Sequence, residues 1–254
     1  MKSQNNVSRE NIKMLSNSFT RKVNTQAKWM FLLVILPLYM YCGSIIISAF
    51  LKFIILTFSL ALSESTINCY VNLLFDLGML IIVWLTFKDS MIEQWHDFKQ
   101  DIKGHLLYGL LIGTALVYGV GIVGGFITLL LGGASTSQNQ NLIQTIVAAH
   151  PLLMSLTTVV FAPLLEEMIF RGIVFGWIYE INPKLAHLVS AFVFGFVHVM
   201  ISVLSGNISE WIQIFSYFFM GAALSYLYEK RNNIYVPILS HAMNNFIAML
   251  LMIF

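Results

Sequence analysis

Long apolar stretches, separated by short polar segments, make up most of the chain after residue 28. The first runs from Trp29 to Leu62 and carries a single charge, Lys52. The others cover about 68–87, 106–131, 143–180, 185–204, 211–228 and 234–254. A helix needs roughly 20 apolar residues to cross the hydrocarbon core of a bilayer, and only structures that satisfy their own backbone hydrogen bonds can span it. The pattern therefore predicts an all-α polytopic membrane protein.

Two of these stretches, 29–62 and 143–180, are longer than one span requires. Pro163 lies inside the second stretch and is expected to kink or break the helix there, because proline has no backbone N–H to donate. We therefore predict a bundle of seven transmembrane helices, or of eight if either long stretch crosses the membrane twice.

The positions of the basic residues predict how the chain lies in the membrane. Only 10% of the residues are charged, compared with roughly 25% in soluble domains. Lysine and arginine concentrate in four polar segments, 1–28, 88–104, 180–184 and 229–233. Because basic segments stay in the cytosol, we expect a multi-pass protein of the cell membrane with a cytosolic amino end, whose tail contacts anionic lipid. The sequence has no nucleotide-binding glycine motif and no basic domain, so nucleic-acid binding is not expected.

Three charged residues lie close together inside the apolar stretch 143–180, namely Glu166, Glu167 and Arg171. In a helix, Glu167 and Arg171 are four residues apart and can form an ion pair, while Glu166 points about 100° away from Glu167. One carboxylate would then be neutralised, and the other would be free to face a cavity. The alternative is a buried ion pair that only holds helices in register.

Asp76 is a further carboxylate at membrane depth, near the middle of the stretch 68–87. It could pair with Arg171 or face a wet cavity. Ionisable residues inside spans often have such partners, and a structural role is the favoured interpretation of Asp76.

Two further polar pairs occur within apolar stretches. His198 follows Phe194 by four residues, and Asn245 follows His241 by the same interval, so each pair shares one helix face. Taken singly, each of these residues is more often a packing group or a hydrogen bond between helices. Together with a carboxylate they are sufficient for a general base and an oxyanion donor, or for a three-ligand zinc site. The residues alone leave both chemistries open, since no His-Glu-x-x-His pair fixes a metal spacing.

In combination these residues resemble the CPBP family of intramembrane proteases, also called the Abi family, which includes the type II CAAX prenyl endopeptidase. The family pattern is Glu-Glu-x-x-x-Arg, then Phe-x-x-x-His, then His-x-x-x-Asn or Asp. The chain contains all three in this order, as Glu166-Glu167-x-x-x-Arg171, Phe194-x-x-x-His198 and His241-x-x-x-Asn245. We therefore divide the chain into a cytosolic basic tail (1–28), N-terminal transmembrane helices with a charged cytosolic loop (29–105) and a CPBP-like catalytic domain (106–254).

The resemblance implies catalytic roles for four residues. Glu166 is expected to be the general base that activates a water together with His198. His241 and Asn245 are expected to stabilise the oxyanion or to position the scissile carbonyl. The supporting residues would be Glu167, Arg171 and Phe194.

The resemblance also implies a helical bundle with a polar, water-filled cavity within the membrane. Family members have been described both as metalloproteases and as glutamate-dependent proteases. Zinc is therefore a candidate cofactor, and its ligands would be His198, His241 and Glu166.

The expected function is an intramembrane endopeptidase that cleaves a membrane-associated protein or a hydrophobic peptide, in processing or in self-immunity against bacteriocins. A non-catalytic membrane partner of a sensor kinase, or of another membrane protein, is the main alternative. A small-solute transporter fits less well, because transporters often repeat their broken helices and the sequence shows one break near charge.

Overall fold

The computed structural model describes residues 19–253, and this part of the chain is helical apart from short turns. It forms eight main helices: α1 Thr25–Thr57, α2 Glu64–Gln100, α3 Ile102–Leu130, α4 Gln138–Ala149, α5 Pro151–Tyr179, α6 Pro183–Leu204, α7 Ile214–Arg231 and α8 Tyr235–Ile253. Short 3₁₀ turns at Phe19–Lys22 and Ile208–Gln213 precede α1 and α7. The predicted all-α fold is confirmed, while most of the predicted basic tail, residues 1–18, lies outside the described residues.

Local sequence signals fix where several helices begin and end. The side chains of Asn24, Ser63, Ser137 and Asn182 cap the amino ends of α1, α2, α4 and α6 by accepting a hydrogen bond from a backbone N–H in the first turn. Gly132 and Gly206 follow α3 and α6 with φ of 83° and 98°. This left-handed conformation, which glycine adopts without strain, ends a helix.

The segment 88–104, predicted to be a charged loop, is instead mostly helical. α2 continues through it to Gln100, and Asp101 separates α2 from α3. The buried residues along this part of α2 recur at helical spacing, as Phe87, Ser90, Met91, Gln94 and Phe98. An apolar stripe of this kind keeps one helix face in the bundle after the continuous apolar run has ended, so the helix extends further than the hydrophobic stretch alone indicates.

Of the two outcomes expected at Pro163, a kink or a break, the break is wrong, because the helix breaks at His150-Pro151 instead. His150 has φ −138° and ψ 63° and ends α4, while Pro151 begins α5, where a missing N–H is tolerated. α5 then runs through Pro163 as one helix. A π-helical turn at Thr157–Phe161 precedes the proline, and a second at Met168–Phe175 follows the glutamate pair. Such turns widen the helix and are frequent at functional sites.

Six of the helices in residues 19–253 are long and apolar enough to cross a membrane, namely α1, α2, α3, α5, α6 and α8. α7 has 18 residues, ends in Glu229-Lys230-Arg231, and packs against both α6 and α3. α4 has 12 residues and is too short to span. The protein is thus a multi-pass membrane protein, and a count of seven crossings, including α7, stays a prediction.

α5 lies at the centre of the bundle and positions the glutamate pair. It is the most buried of the six candidate spans, and α2, α6, α7 and α8 all pack against it. Phe19 and Thr20 are buried against Gly172 and Gly176 of α5, where a side chain would collide with them. The last residues of the predicted tail therefore pack on the bundle.

Candidate active site

A cavity of about 330 Å³ lies within the bundle beside the Glu166 carboxylate. Its walls come from α1, α2, α4, α5, α6, α7 and α8, so helices distant in sequence meet there. Five predicted site residues line it: Glu166, Phe194, His198, His241 and Asn245. The remaining two, Glu167 and Arg171, are fully buried in the helices around the cavity. The structure therefore brings all three sequence motifs together at one place.

The two adjacent glutamates have different surroundings. The Glu166 side chain is 14% exposed and lines the cavity, and its Oε2 atom has no hydrogen-bond partner in the described part of the chain. The Glu167 side chain is 0% exposed and lies 2.9 Å, through Oε1, from Arg171 Nη1. The ion pair predicted from the four-residue spacing is present, and it leaves Glu166 outside the pair.

Arg171 holds three helices together. Its Nη1 donates to Glu167 on the same helix, and its Nη2 donates to the Gly221 carbonyl of α7 at 2.9 Å. The guanidinium carbon also lies 4.6 Å from the centre of the Phe194 ring of α6, a cation–π contact. Arg171 thus acts within the protein interior and does not reach into the cavity.

His241 is oriented by Glu167. Its Nδ1 donates to Glu167 Oε1 at 2.9 Å, because the oxygen that pairs with Arg171 is an acceptor. Its Nε2 faces Glu166 Oε2 at 3.9 Å. In the neutral ring Nε2 is an acceptor, and it becomes a donor only when the ring is protonated.

His198, on α6, is also held through Nδ1, in this case by a backbone carbonyl. Its Nδ1 donates to the Phe194 carbonyl at 2.7 Å, since a carbonyl can only accept, and its Nε2 faces Glu166 Oε2 at 3.9 Å. The ring stacks on Tyr217 of α7 with centroids 4.3 Å apart. Both histidines therefore present Nε2 to the same glutamate oxygen.

Asn245 is fixed by two hydrogen bonds. Its Nδ2 donates to the Thr158 carbonyl at 3.0 Å, and its Oδ1 accepts from Asn244 Nδ2 at 3.3 Å. Since an amide nitrogen carries two hydrogens, one N–H of Asn245 stays free for another acceptor. Asn244, the residue before Asn245, lines the cavity as well.

Other polar residues of the cavity carry no sequence motif. Tyr39 of α1 lies beside Glu166, and Tyr217 accepts or donates a 2.6 Å hydrogen bond with Ser137 while it supports His198. In the sequence, a tyrosine that faces the cavity looks the same as one that faces lipid, because both lie in apolar stretches. The sequence therefore gives no signal for either tyrosine.

Asp76 lines the cavity together with Asn72 of the same helix. No ion pair joins Asp76 to Arg171 among residues 19–253, so the pairing alternative is wrong and the cavity alternative is correct.

The residues around Glu166 match zinc in type but not in spacing. Two imidazole nitrogens and one carboxylate oxygen are a common ligand set, and each histidine donates its other N–H, as zinc ligands do. Two ligands of a tetrahedral zinc lie roughly 3.3–3.4 Å apart, whereas Glu166 Oε2 lies 3.9 Å from each Nε2. Among the described residues, no group of three or more His, Cys, Asp or Glu side chains is arranged to hold a metal ion.

The fold and the site define the class as a multi-pass helical membrane protein with a glutamate-histidine site inside its bundle. Residues 148–247 match the family model described as type II CAAX prenyl endopeptidase Rce1-like. This segment contains all three motifs, so the family resemblance inferred from them is confirmed.

Three bacterial proteins are related to the chain in sequence. It is 29% identical over 171 residues to YdiL of Bacillus subtilis, which is named as a candidate membrane peptidase. It is 30% identical over 146 residues to the membrane-embedded CAAX protease MroQ of Staphylococcus aureus, and 25% identical over 142 residues to the UPF0177 protein YvdC of Lactococcus lactis.

These similarities cover part of each protein. The alignments span 66% of this chain and 66% of YdiL, 56% of this chain and 57% of MroQ, and 56% of this chain and 51% of YvdC. No solved structure shows significant similarity to the chain. The comparisons thus support the family resemblance, while the arrangement of the site rests on the geometry described above.

Proposed function

We propose that the protein is an intramembrane endopeptidase that hydrolyses a peptide bond of a membrane-associated protein or of a hydrophobic peptide. One observation carries this proposal: the unbonded Oε2 of Glu166 faces the Nε2 atoms of His198 and His241, each at 3.9 Å, in a cavity. An acceptor left open beside two histidines is suited to hold a water or a reacting group. The relatives named as peptidases or proteases support the same activity.

The nucleophile in this reaction is a water held between Glu166 and a histidine. Atoms 3.9 Å apart leave space for a water about 2.8 Å from both. The water would donate one hydrogen to Glu166 Oε2 and the other to Nε2 of a neutral histidine. Its lone pairs would then point away from both residues, toward a substrate carbonyl in the cavity.

Glu166 acts as the general base when the water attacks. As the water oxygen bonds to the carbonyl carbon, its proton passes to Glu166, and negative charge develops on the carbonyl oxygen. The free N–H of Asn245 is a donor for that charge. The C–N bond then breaks, the proton passes to the leaving nitrogen, and the products are a new carboxyl terminus and a new amine terminus.

Glu167 and Arg171 orient this machinery from outside the cavity. Glu167 fixes the His241 ring, so that Nε2 faces Glu166. Arg171 neutralises Glu167 and ties α5 to α7. Catalytic groups have to be held close to their productive positions, and a buried network of this kind supplies that rigidity.

The cavity indicates the size of the substrate segment. Its volume of about 330 Å³ is near the lower limit of ligand pockets, so it takes a short extended segment and not a folded domain. The proposed setting is the bacterial cell membrane, with peptide processing or self-immunity against bacteriocins as the role. The three bacterial relatives support a bacterial setting.

The proposal is tested with the purified full chain in detergent and a library of hydrophobic peptides, with products identified by mass spectrometry. Wild type is compared with Glu166→Ala and His198→Ala, each with and without a chelator followed by added zinc. Glu64→Gln is the matched control, because Glu64 is an exposed carboxylate at the start of α2, outside the cavity. Folding of each variant is checked by gel filtration and circular dichroism.

Wild type and Glu64→Gln are expected to cleave the same peptides. Loss of a general base lowers the rate by roughly 10²–10⁴-fold, so Glu166→Ala should show almost no product. Cleavage that a chelator abolishes and zinc restores would mean that the ligands rearrange around a metal. If folded wild type cleaves no peptide of a broad library, the endopeptidase proposal is wrong and a non-catalytic membrane partner becomes the better reading.

A further inference from the structure

Asp76 is a carboxylate in the cavity that the proposed hydrolysis does not use. It lies on α2, is 8% exposed, and lines the same cavity as Glu166. A charge at this depth is costly unless it has a partner, and such residues are usually functional.

No partner for Asp76 exists within residues 19–253. Its carboxylate forms no hydrogen bond and no ion pair with any of these residues. The buried cation Arg171 is already bound to Glu167 and to the Gly221 carbonyl. The described residues that line the cavity include no lysine and no arginine. The cavity therefore holds two carboxylates and no permanent positive charge of its own.

Two asparagines that line the cavity with Asp76 each leave an amide oxygen without a hydrogen-bond partner among the described residues. Asn72 lies one helical turn before Asp76 on the same face, and its Nδ2 donates to the Asn68 carbonyl at 2.8 Å. Asn244 on the opposite helix α8 donates through Nδ2 to Asn245. In both, one N–H of the amide nitrogen has a partner and Oδ1 is left without one. Asp76 is thus accompanied in the cavity by neutral carbonyl oxygens.

The Asp76 carboxylate, together with these amide oxygens, is complementary to a cation with several donors. An ammonium group carries three N–H donors and no acceptor, and its charge compensates a carboxylate in a low-dielectric site. A purely apolar substrate segment would leave Asp76 and the free amide oxygens unsatisfied, which is unfavourable.

We propose that Asp76, with Asn72, binds a protonated amine of the substrate, so that the protein selects a peptide with a positively charged nitrogen close to the segment in the cavity. The amine is either a lysine side chain or a free amino terminus, since both carry the same ammonium chemistry. As a statement about cleavage this rests on the proposed endopeptidase function, but as a statement about binding it is independent of it.

The experiment uses one set of acetylated hydrophobic decapeptides in which a single lysine is moved along the sequence, with a norleucine peptide as the uncharged match. A norleucine decapeptide without the acetyl group tests the free amino terminus. Binding is measured by fluorescence anisotropy to full-length Glu166→Gln in nanodiscs, which is expected to bind without turnover. The comparison is with Glu166→Gln/Asp76→Asn, and Glu166→Gln/Glu64→Gln is the control. The kcat/KM values of wild type, Asp76→Asn and Glu64→Gln are then measured on the same peptides, and lysine and norleucine peptides are compared for each protein.

Glu166→Gln is expected to bind one lysine position, or the free amino terminus, at least about tenfold more tightly than the acetylated norleucine peptide, the range for hydrogen bonds to a charged group. Asp76→Asn should reduce this preference to within about twofold, and Glu64→Gln should leave it in place. Which peptide shows the preference identifies the source of the amine.

The proposal is wrong if no variant prefers any cationic peptide, or if Asp76→Asn keeps the preference. A drop in cleavage by Asp76→Asn that is equal for lysine and norleucine peptides would also contradict it, because Asp76 would then act with Glu166 in the reaction. Selective binding without cleavage by wild type would support the amine site and contradict the endopeptidase proposal, so the two failures are distinguishable.

Discussion

Glu167 joins Arg171 and His241 through one oxygen atom. Its Oε1 accepts hydrogen bonds from Arg171 Nη1 and from His241 Nδ1, both at 2.9 Å. Arg171 continues the network to Gly221 on α7. Because these groups are fully or almost fully buried, water cannot replace a lost partner, and removal of one member leaves a charge uncompensated.

Glu167→Gln is therefore expected to lower the stability of the folded protein strongly, although glutamine has nearly the same shape as glutamate. Breaking a buried ion pair costs about 3–5 kcal/mol, because the remaining charge stays in the protein interior. The midpoint of thermal unfolding in detergent should fall well below that of wild type. The double variant Glu167→Gln/Arg171→Met should recover part of the loss, since it removes the orphaned charge. A single variant as stable as wild type would show that the pair does not hold the bundle together.

A second ion pair lies outside the membrane-spanning segments and predicts a pH dependence. Arg231 at the end of α7 donates a hydrogen bond to Asp101 in the turn between α2 and α3. This bond, followed by one from the Gly104 backbone, holds the pKa of Asp101 below its usual value of 3.8. Since the folded-state pKa is lower than the unfolded one, the stabilising contribution is present above about pH 4 and is lost at lower pH.

Asp101→Asn should accordingly lower the unfolding midpoint slightly at neutral pH and have no effect in acid. The effect is small, because the carboxylate is exposed to solvent and surface pairs are weak. Unfolding midpoints of wild type and variant are measured between pH 3 and pH 7. The two curves should converge as the pH falls, and a constant separation would contradict the assignment.

At the scale of helices, α7 reaches the centre of the bundle because α3 lets it approach closely. A methyl group added at Gly124 of α3 would lie 2.8 Å from the Ser216 backbone of α7. Gly119 is on the same helix, and a methyl group there would meet nothing within 4 Å. α7 in turn carries Tyr217, which supports His198.

This pair of glycines gives a matched prediction. Gly124→Ala should destabilise the protein by about 1–3 kcal/mol, the usual cost of overpacking, and should lower activity because α7 and Tyr217 shift. Gly119→Ala makes the same chemical change without a collision and should be neutral or slightly stabilising, since alanine favours a helix. Thermal unfolding of both variants is compared in one detergent. Equal effects would mean that the α3–α7 approach is not tight.

The positions of α3, α6 and α8 could be predicted from the sequence, because each of these helices covers nearly the same residues as one apolar stretch. The sequence misleads at segment 88–104, because a helix with one buried stripe is indistinguishable from a polar loop when only average hydrophobicity is considered. It also misleads at Pro163, because the π-helical turn that accommodates the proline depends on packing around α5. The helix actually breaks earlier in the chain, at His150-Pro151, where a proline is also present.

In the whole molecule, the polar residues of the candidate site line a cavity whose walls come from seven helices. The three motifs, recognised through the family resemblance, were sufficient to predict which residues of α5, α6 and α8 meet at the site. Tyr39, Asn72 and Tyr217 come from three other helices. Their positions depend on how α1, α2 and α7 pack on this core, and no local pattern in a single sequence encodes that packing.

The central claim is that Glu166 activates a water for attack on a peptide carbonyl. Its most direct test is cleavage of one identified peptide in ¹⁸O-labelled water by wild type and by Glu166→Gln, with products followed by mass spectrometry. The account predicts one labelled oxygen in the new carboxyl terminus and a kcat at least about 10²-fold lower in the variant. An unlabelled carboxyl product, or a Glu166→Gln variant as fast as wild type, would contradict it.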